Sequence, residues 1–345
     1  MTSVGIVGAS GFTGAELLRL CAGHGDLDVR YATGDTQAGT RVADLYPSLA
    51  AAYGHVAFDK YDPESCDGLD LVFLGLPHGA SQEVVPELVG RVGAVVDLAA
   101  DFRLADAALY PQWYGEDHAH PELLAGFVYG LPELFRDEIA GATRIAAPGC
   151  YPTTSILALA PLLRAGLVEP RGIVVDAASG VSGAGRGLKP TTAFSAVDEN
   201  ITAYGLLDHR HTPEIEQGLS RVAGTEVQVL FTPHLAPMNR GILATCYARP
   251  AAAGLTTAAV LDVLREAWAG EPFVVVTDDP PATKATLGAN TVHVTARADA
   301  RTGWVVAIAA LDNLVKGASG QAVQCANLAV GLPETAGLPT VAVYP

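Results

Sequence analysis

Residues 4–14, Val-Gly-Ile-Val-Gly-Ala-Ser-Gly-Phe-Thr-Gly, indicate the fold of the first part of the chain. The apolar run 4–7 is typical of a short buried strand, and residues 15–21 have the spacing of a helix. The glycines between them follow a G-x-x-G-x-x-G pattern. A glycine-rich turn in this context predicts a dinucleotide site, because bare backbone N–H groups and a helix N-terminus both attract a pyrophosphate. We expect the cofactor to contact Gly8, Ser10, Gly11, Phe12, Thr13 and Gly14.

Beyond this turn, short apolar runs alternate with helix-like stretches such as residues 81–89. The runs occupy residues 29–32, 71–76, 94–98 and 145–147. This rhythm is typical of a parallel sheet with helices on both faces. The first part of the chain is therefore predicted to be α/β, with a Rossmann-type doubly wound parallel sheet.

The pattern changes after Gly149, where a helix over residues 155–163 is followed mainly by strands. The predicted strands are 173–177, 227–231, 242–247, 273–276, 292–295 and 305–311, and helices are predicted at 213–222 and 256–268. Such a succession predicts an α+β catalytic domain with a mixed or antiparallel sheet. We assign residues 1–149 to a dinucleotide-binding domain and 150–317 to the catalytic domain. A closing helix, 318–331, is expected to pack back on the first domain.

The overall charge restricts the possible partners. The 345 residues carry a formal net charge of −16, which disfavours nucleic acid and anionic membranes. No apolar stretch approaches the ~20 residues of a membrane span, and the first residues lack the basic segment of a secretory signal. The sequence predicts a cytoplasmic protein that acts on a small molecule. Its five cysteines include no C-x-x-C pair, which argues against disulfides and a zinc site.

Cys150 is the cysteine with a reactive context. It stands in Pro148-Gly-Cys-Tyr-Pro-Thr153, after a predicted strand and at the start of a helix, where Pro152 suits the first turn. A thiol at a helix N-terminus is stabilised as the thiolate, and neighbouring N–H groups can hold an oxyanion. The interpretation is a nucleophile, whereas an inert buried thiol is the alternative that suits Cys21, Cys246 and Cys325.

His211 is the candidate general acid and base. Thr212 is expected to cap a helix that begins at Pro213, so the positive end of that helix favours a neutral imidazole. The nearby pairs of Asp and His residues, around His118 and His209, superficially suggest zinc ligands, but no cysteine accompanies them. We predict no metal site.

Two further segments concern the cofactor. The second strand ends at Thr33-Gly-Asp35: small residues leave room for a 2′-phosphate, whereas an acid favours the ribose hydroxyls of NAD, so these residues leave NAD and NADP open. Gly75-Leu-Pro-His-Gly79 follows a strand at the sheet edge where a cofactor binds. Thr33 and Pro77 are therefore predicted cofactor contacts, and His78 is expected to line the site.

Taken together, these motifs resemble the N-acetyl-gamma-glutamyl-phosphate reductases of arginine biosynthesis along nearly the whole chain. The resemblance is carried by Gly8-Ala-Ser-Gly-Phe-Thr-Gly14, Leu76-Pro-His-Gly79, Asp101-Phe-Arg103, Tyr129-Gly-Leu-Pro-Glu133, Pro148-Gly-Cys-Tyr-Pro-Thr153, Ser179-Gly-Val-Ser-Gly-Ala-Gly185, His209-Arg-His-Thr-Pro-Glu214, Pro237-Met-Asn-Arg-Gly-Ile242 and Asp312-Asn-Leu-Val-Lys-Gly317. The cysteine and His-Arg-His-Thr motifs are specific to these reductases. The glycine-rich turn and the Asp-Asn-Leu-x-Lys-Gly segment are shared with aspartate-semialdehyde dehydrogenases.

The resemblance implies NADP as the cofactor, Cys150 as nucleophile, His211 as acid and base, and a homo-oligomer, either a dimer or a tetramer. It also implies that Asn313 touches the nicotinamide and that Ser182 and Gly183 line the cofactor and phosphate site. On charge grounds, the candidates for holding the substrate's phosphate and carboxylates are Arg103, Arg186 and Lys189. Asp35 departs from the Asn or Ser expected in that loop.

Three other functions fit parts of the pattern. Aspartate-semialdehyde dehydrogenase shares the chemistry. A reductase of alpha-aminoadipyl phosphate tethered to an acidic carrier protein, in lysine synthesis, is less compatible with Tyr151-Pro152 and with the negative charge. An NADP-binding redox sensor without catalysis is the alternative from another class.

Overall fold

The structure is a computed structural model that describes residues 1–344. The chain divides into two compact units. Unit 1 comprises residues 1–111, 116–148 and 318–338, and unit 2 comprises residues 112–115, 149–317 and the tail from Pro339.

Unit 1 is built on a six-stranded parallel sheet, as predicted. Its strands are β1 (Thr2–Val7), β2 (Leu27–Ala32), β3 (Leu71–Leu74), β4 (Ala94–Asp97), β5 (Val128–Tyr129) and β6 (Arg144–Ala146), in the order β2-β1-β3-β4-β6-β5. Every residue of β3 and β4 is buried, which explains their unbroken apolar sequence. The order reverses beside β1, and the loops after β1 and β3 therefore meet at the edge where dinucleotides bind in such sheets.

The helices of unit 1 are α1 (Phe12–Ala22), α2 (Val42–Leu45), α3 (Ala50–Tyr53), α4 (Ala80–Leu88), α5 (Tyr110–Tyr114), α6 (Pro121–Leu124), α7 (Pro132–Ile139) and α12 (Gly320–Ala329); α5 runs into residues 112–114 of unit 2. Helix α12 packs against α1, α7 and β4. Its Asn327 Oδ1 accepts a 3.1 Å hydrogen bond from His24 Nε2, and Gln324 donates to Glu133 at 3.0 Å. These buried polar contacts join the last helix to the core of unit 1.

Unit 2 contains a seven-stranded mixed sheet, which confirms the predicted second architecture. The strands are β7 (Ile173–Gly180), β8 (Thr202–Ala203), β9 (Val229–Ala236), β10 (Ile242–Ala248), β11 (Val274–Val276), β12 (Val292–Asp299) and β13 (Trp304–Leu311), in the order β11-β12-β13-β10-β7-β9-β8. The β7–β9 and β11–β12 pairs are parallel and the others antiparallel.

Four α-helices accompany this sheet: α8 (Cys150–Arg164), α9 (Phe194–Val197), α10 (His211–Ala223) and α11 (Thr257–Ala267). Helix α8 packs on β10, β12 and β13, and is buried over nearly its whole length. Helix α10 packs on α8, and Gly218 permits the contact, because a Cβ there would lie 2.4 Å from Ile156 Cδ1. Within residues 1–344, no helix is both long and apolar enough to cross a membrane.

Candidate active site

The glycine-rich turn of unit 1 is closed by backbone packing. Gly8 has φ +87°, a conformation that favours glycine, and a Cβ on it would lie 2.5 Å from the Gly75 carbonyl oxygen. A Cβ on Gly14 would lie 2.4 Å from both the Gly8 oxygen and Ala9 Cα. Because side chains are excluded at both positions, the backbone of the turn is bare at the start of α1.

Two hydroxyl groups connect this turn to the end of β2. Thr33 is buried, and its Oγ1 accepts the Gly8 N–H at 3.0 Å. Ser10 Oγ donates to the Gly34 carbonyl at 3.1 Å. Both residues were predicted to contact the cofactor, and the structure assigns these hydroxyl groups to holding the turn in shape.

The other predicted cofactor residues of unit 1 lie on the same edge of the sheet. Gly11 is the N-cap of α1, and Phe12 and Thr13 are in its first turn, whose N–H groups have no partner within the helix. Pro77 lies after β3, and its carbonyl accepts the Ala80 N–H at the start of α4. This bare turn and helix end fit a pyrophosphate.

The loop after β2 contains few charges that a 2′-phosphate could use. Asp35 adopts φ +45° and is exposed. Arg41 forms a two-pronged ion pair with Asp44, at 2.9 and 2.7 Å, so its guanidinium already has a carboxylate partner.

Cys150 is the first residue of α8 and is half-buried, whereas the other four cysteines are buried. Burial raises the pKa of Cys21 and of Cys246 to about 12, and that of Cys66 to about 11. Those thiols stay protonated at neutral pH, and Cys325 donates its S–H to the Gly130 carbonyl at 3.2 Å. The accessible helix start distinguishes Cys150 from all of them.

The start of α8 is held by a buried carboxylate. Glu214 is 0% exposed, and its Oε1 accepts the N–H of Gly149, the N-cap residue, at 2.8 Å. On the other side, a Cβ on Gly317 would lie 2.9 Å from Cys150 Cβ, so a larger residue at position 317 would displace the Cys150 side chain. Glu214 and Gly317 are both in the motifs of the sequence, but only the tertiary structure shows that they contact the cysteine segment.

His211 is the first residue of α10, two residues earlier than predicted. Thr212 is therefore inside the helix, and the prediction that it caps the helix was wrong: the N-cap is Arg210, whose side chain makes no capping hydrogen bond. The reason is local: the Thr212 N–H donates to the His209 carbonyl, and this bond closes a turn that starts the helix before Pro213. His211 is buried to 9% exposure.

Cys150 and His211 line one pocket of roughly 520 Å³ in unit 2. The sequence-predicted residues that also line it are Gly183 and Lys189. The residues that the sequence analysis did not assign to the site include Tyr151, Ser179, Asn200, Tyr204, His209 and Arg210. A thiol, an imidazole and cations thus share one cavity, an arrangement suited to nucleophilic attack on an anionic acyl group.

An aromatic cluster forms one side of this pocket. Tyr151 donates its hydroxyl to the His234 carbonyl at 3.2 Å and lies 3.0 Å from the Tyr204 hydroxyl, which is then the donor in that contact. Burial is the main cause that raises the pKa of Tyr204 to about 12. Burial also raises the pKa of Tyr151, so both hydroxyl groups remain protonated across the physiological range.

The three predicted substrate cations have different surroundings. Lys189 lines the pocket, and Arg186 lies three residues earlier, half-buried, with Nε enclosed and no hydrogen-bond partner for it among residues 1–344. Arg103 is buried in unit 1, where its Nε donates to the Ala147 carbonyl at 2.8 Å and its Nη2 to Leu98 at 2.7 Å. Those bonds connect the loop after β4 to the segment after β6.

Asn313 contacts the loop that contains Ser182 and Gly183, which the sequence analysis assigned to the cofactor and phosphate site. Its Oδ1 accepts the Gly241 N–H at 2.7 Å, and its Nδ2 donates to Ser182 Oγ at 2.9 Å. Gly183 lies beside this amide, since a Cβ there would be 3.7 Å from Nδ2. The structure thus brings Asn313, Ser182 and Gly183 together. Across residues 1–344, no cluster of His, Cys, Asp and Glu could hold a metal ion.

Comparison with known proteins places both units in one family. Residues 3–142 match the semialdehyde dehydrogenase NAD binding domain, and residues 150–313 match the semialdehyde dehydrogenase dimerisation domain. Proteins named N-acetyl-gamma-glutamyl-phosphate reductase are 49% identical in Symbiobacterium thermophilum, over 99% of both chains, and 46% identical in Magnetococcus marinus, over 99% of this chain and 98% of that one.

Solved structures with the same fold are more distant in sequence. Aspartate semialdehyde dehydrogenase II from Vibrio cholerae, complexed with ASA, superimposes with a TM-score of 0.71 at 18% identity, covering 96% of this chain and 98% of that one. Aspartate semialdehyde dehydrogenase with NADP from Candida albicans gives a TM-score of 0.67 at 16% identity, covering 95% and 98%. At these identities the likeness concerns the fold.

Proposed function

The chain belongs to the N-acetyl-gamma-glutamyl-phosphate reductases, within the semialdehyde dehydrogenase family, and on this premise we propose that it reduces N-acetyl-gamma-glutamyl phosphate in arginine biosynthesis through a thioester on Cys150. The observation that carries the proposal is the shared pocket of Cys150 and His211. The half-buried thiol begins a helix, and the imidazole begins another helix that packs on the first.

The first half of the reaction is acyl transfer. Cys150 Sγ attacks the carbonyl carbon of the acyl phosphate, the C–O bond to phosphate breaks, and a thioester remains on the protein. His211 is proposed to take the thiol proton. Lys189 is proposed to hold the phosphate and carboxylates of the substrate, together with Arg210, which also lines the pocket, and Arg186, which is close to Lys189 in the sequence. Arg103 stays a candidate for the same role.

The second half releases the aldehyde. When bound, the reduced nicotinamide supplies a hydride for the thioester carbonyl. The carbonyl of the semialdehyde then re-forms as the C–S bond breaks, and His211 is proposed to return its proton to the departing Cys150 sulfur. We propose NADP as the cofactor, held at the glycine-rich turn by Gly8, Gly11, Phe12, Thr13 and Gly14, with Pro77 nearby and with Ser182, Gly183 and Asn313 at the nicotinamide end.

An assay in the reverse direction tests substrate and cofactor together. N-acetylglutamate semialdehyde, phosphate and NADP should give NADPH absorbance, and omission of phosphate should stop turnover because no acyl phosphate can form. Parallel reactions with NAD, aspartate semialdehyde and a carrier-linked substrate compare the alternatives. Preferential turnover of aspartate semialdehyde, or no phosphate dependence, would contradict the proposal. Cofactor binding without any turnover would favour a redox sensor.

We also propose that the protein is a homodimer that pairs through the mixed sheet of unit 2. Residues on the helix-covered face, such as Ala244 and Ala307, are buried, whereas residues on the opposite face are only half-buried. That second face presents Val174, Leu243, Tyr247, Val306 and Ile308, with Asp176 and Thr245 among them. It lies within the family's dimerisation domain, and a sheet face this apolar suits burial against a second copy.

The oligomeric state tests this surface directly. Tyr247 lies opposite Val306 across the β10–β13 ladder, so Val306→Lys with Ile308→Lys would place two charges in the proposed interface. Light scattering during size exclusion should then report a monomer in place of a dimer. Val341→Lys, in the exposed tail, is the control. An unchanged mass for the double variant would move the interface elsewhere.

A further inference from the structure

His209, two positions before His211, accepts a hydrogen bond on one of its ring nitrogens. His209 Nδ1 lies 3.1 Å from the backbone N–H of His211 and accepts from it. A ring nitrogen that accepts a hydrogen bond carries no proton, so the neutral ring of His209 has its proton on Nε2. His209 also lines the pocket that contains Cys150.

The surroundings of His209 keep its ring neutral. Its edge-to-face neighbours are the rings of Tyr151 at 5.8 Å, Tyr204 at 5.5 Å, Phe231 at 5.3 Å and His211 at 4.8 Å. Burial among these rings, followed by the charge of Arg210, lowers the pKa of His209 to about 4, against a smaller opposing effect of Asp208. At neutral pH the His209 ring therefore adds no positive charge beside His211.

We propose that His209 is a positioning residue for His211, through the hydrogen bond from the His211 N–H to His209 Nδ1. The proposal rests on the proposed role of His211 as acid and base. Helix α10 needs such a partner, because the first N–H groups of a helix have no carbonyl within it and the Arg210 side chain supplies no cap. His209 supplies the missing acceptor, and the ring contact between the two histidines orients the His211 imidazole.

Three substitutions at one position separate this role from a contact between His209 and substrate. Asn places an acceptor oxygen near the position of Nδ1, Gln places an amide near the position of Nε2, and Ala supplies neither. His209→Ala should lower kcat by about tenfold, as the loss of a helix cap would, with KM nearly unchanged. His209→Asn should recover most of this loss, and His209→Gln should not. Recovery by Gln and not by Asn would overturn the proposal.

A second measurement needs neither substrate nor cofactor. The rate at which iodoacetamide alkylates Cys150 is followed against pH in the wild type and in the variants. His209→Ala should shift the midpoint of this profile, because a displaced His211 no longer stabilises the thiolate, and His209→Asn should restore it. A lower melting temperature with an unshifted profile would mean that His209 only supports the fold, which would overturn the proposal.

Two controls complete the experiment. His55→Asn makes the same change at an exposed position of unit 1 and should alter neither kcat nor the alkylation profile. His211→Asn distinguishes the two proposals: if it leaves the profile unchanged, His211 is not coupled to the thiol and both proposals fail. If His211→Asn shifts the profile and His209→Ala does not, only the positioning role fails.

Discussion

The glycine-rich turn of unit 1 and the thiol pocket of unit 2 are built in opposite ways. The turn consists of seven neighbouring residues, Gly8 to Gly14, held by backbone atoms so close that a Cβ at either end would collide. The pocket collects side chains from α8, α10, β7 and the segment between residues 183 and 204. The turn therefore depends on shape, whereas the pocket depends on the identity of a few reactive atoms.

The largest effect is expected at the proposed nucleophile of the pocket, Cys150. Cys150→Ser should lower kcat at least about 10³-fold, because a hydroxyl is a far weaker nucleophile than a thiolate, and NADPH binding should stay nearly the same. Stopped-flow assay and fluorescence titration measure the two quantities. Cys66→Ala is the matched control for loss of a cysteine, since burial keeps that thiol inert. Substantial turnover by the serine variant would remove Cys150 from the mechanism.

The next effect concerns proton transfer in the same pocket. His211→Asn should reduce kcat by about 10²–10⁴, the usual contribution of a positioned acid or base, without a change in cofactor affinity. Steady-state kinetics across pH provides the measurement. A loss of only a few fold would assign the proton transfer to another group.

The turn should respond through folding and cofactor affinity. Gly14→Ala introduces a Cβ 2.4 Å from the Gly8 oxygen, so the turn must open, at a cost of roughly 1–3 kcal/mol or more. Thermal unfolding and NADPH titration should both report the loss. Gly25→Ala is the matched control, because a Cβ there meets nothing within 4 Å and φ is not positive. Equal stability of the two variants would show that the turn is less crowded than described.

A smaller effect is expected from the cation of the pocket. Lys189→Ala should raise KM for the acyl phosphate by about tenfold, the effect of one lost charge-assisted hydrogen bond, with kcat changed less. Lys284→Ala, at an exposed position of the same unit, should leave KM unchanged. A KM equal to that of the wild type would show that Lys189 does not hold the phosphate, and the role would then be assigned to Arg186, Arg210 or Arg103.

The smallest effect is a pH dependence of stability in the pocket wall. The folded pKa of His209 is about 4 against an ordinary 6.5, so the unfolded chain binds more protons between these values and stability rises with pH across that window. His209→Asn removes this contribution, which we put at roughly 1–2 kcal/mol after solvent screening. Denaturant unfolding at pH 4.5 and 7 measures it: the stability lost by the wild type on acidification should exceed that lost by the variant.

Prediction from sequence succeeded where neighbouring residues make the feature. The strand, glycine turn and helix of residues 2–22 follow one another along the chain. The unbroken apolar runs of β3 and β4 predict buried strands. Helix starts were less accurate. Helix α10 begins at His211 and not Pro213, because the carbonyl of His209 and its ring nitrogen take up the first N–H groups. Contacts of that kind involve rotamers that a sequence pattern does not specify.

The amino-acid sequence alone determined the two fold types, the dinucleotide turn and the candidacy of Cys150 and His211, because each depends on local spacing or on a short motif. The packing of the folded chain, by contrast, brings these two residues into one pocket, makes Glu214 accept the Gly149 N–H, and adds Lys189 and His209 to the cavity. The physical reason is distance along the chain. Residues 60 positions apart meet only when helices and strands pack, and packing depends on the shapes of all the side chains between them.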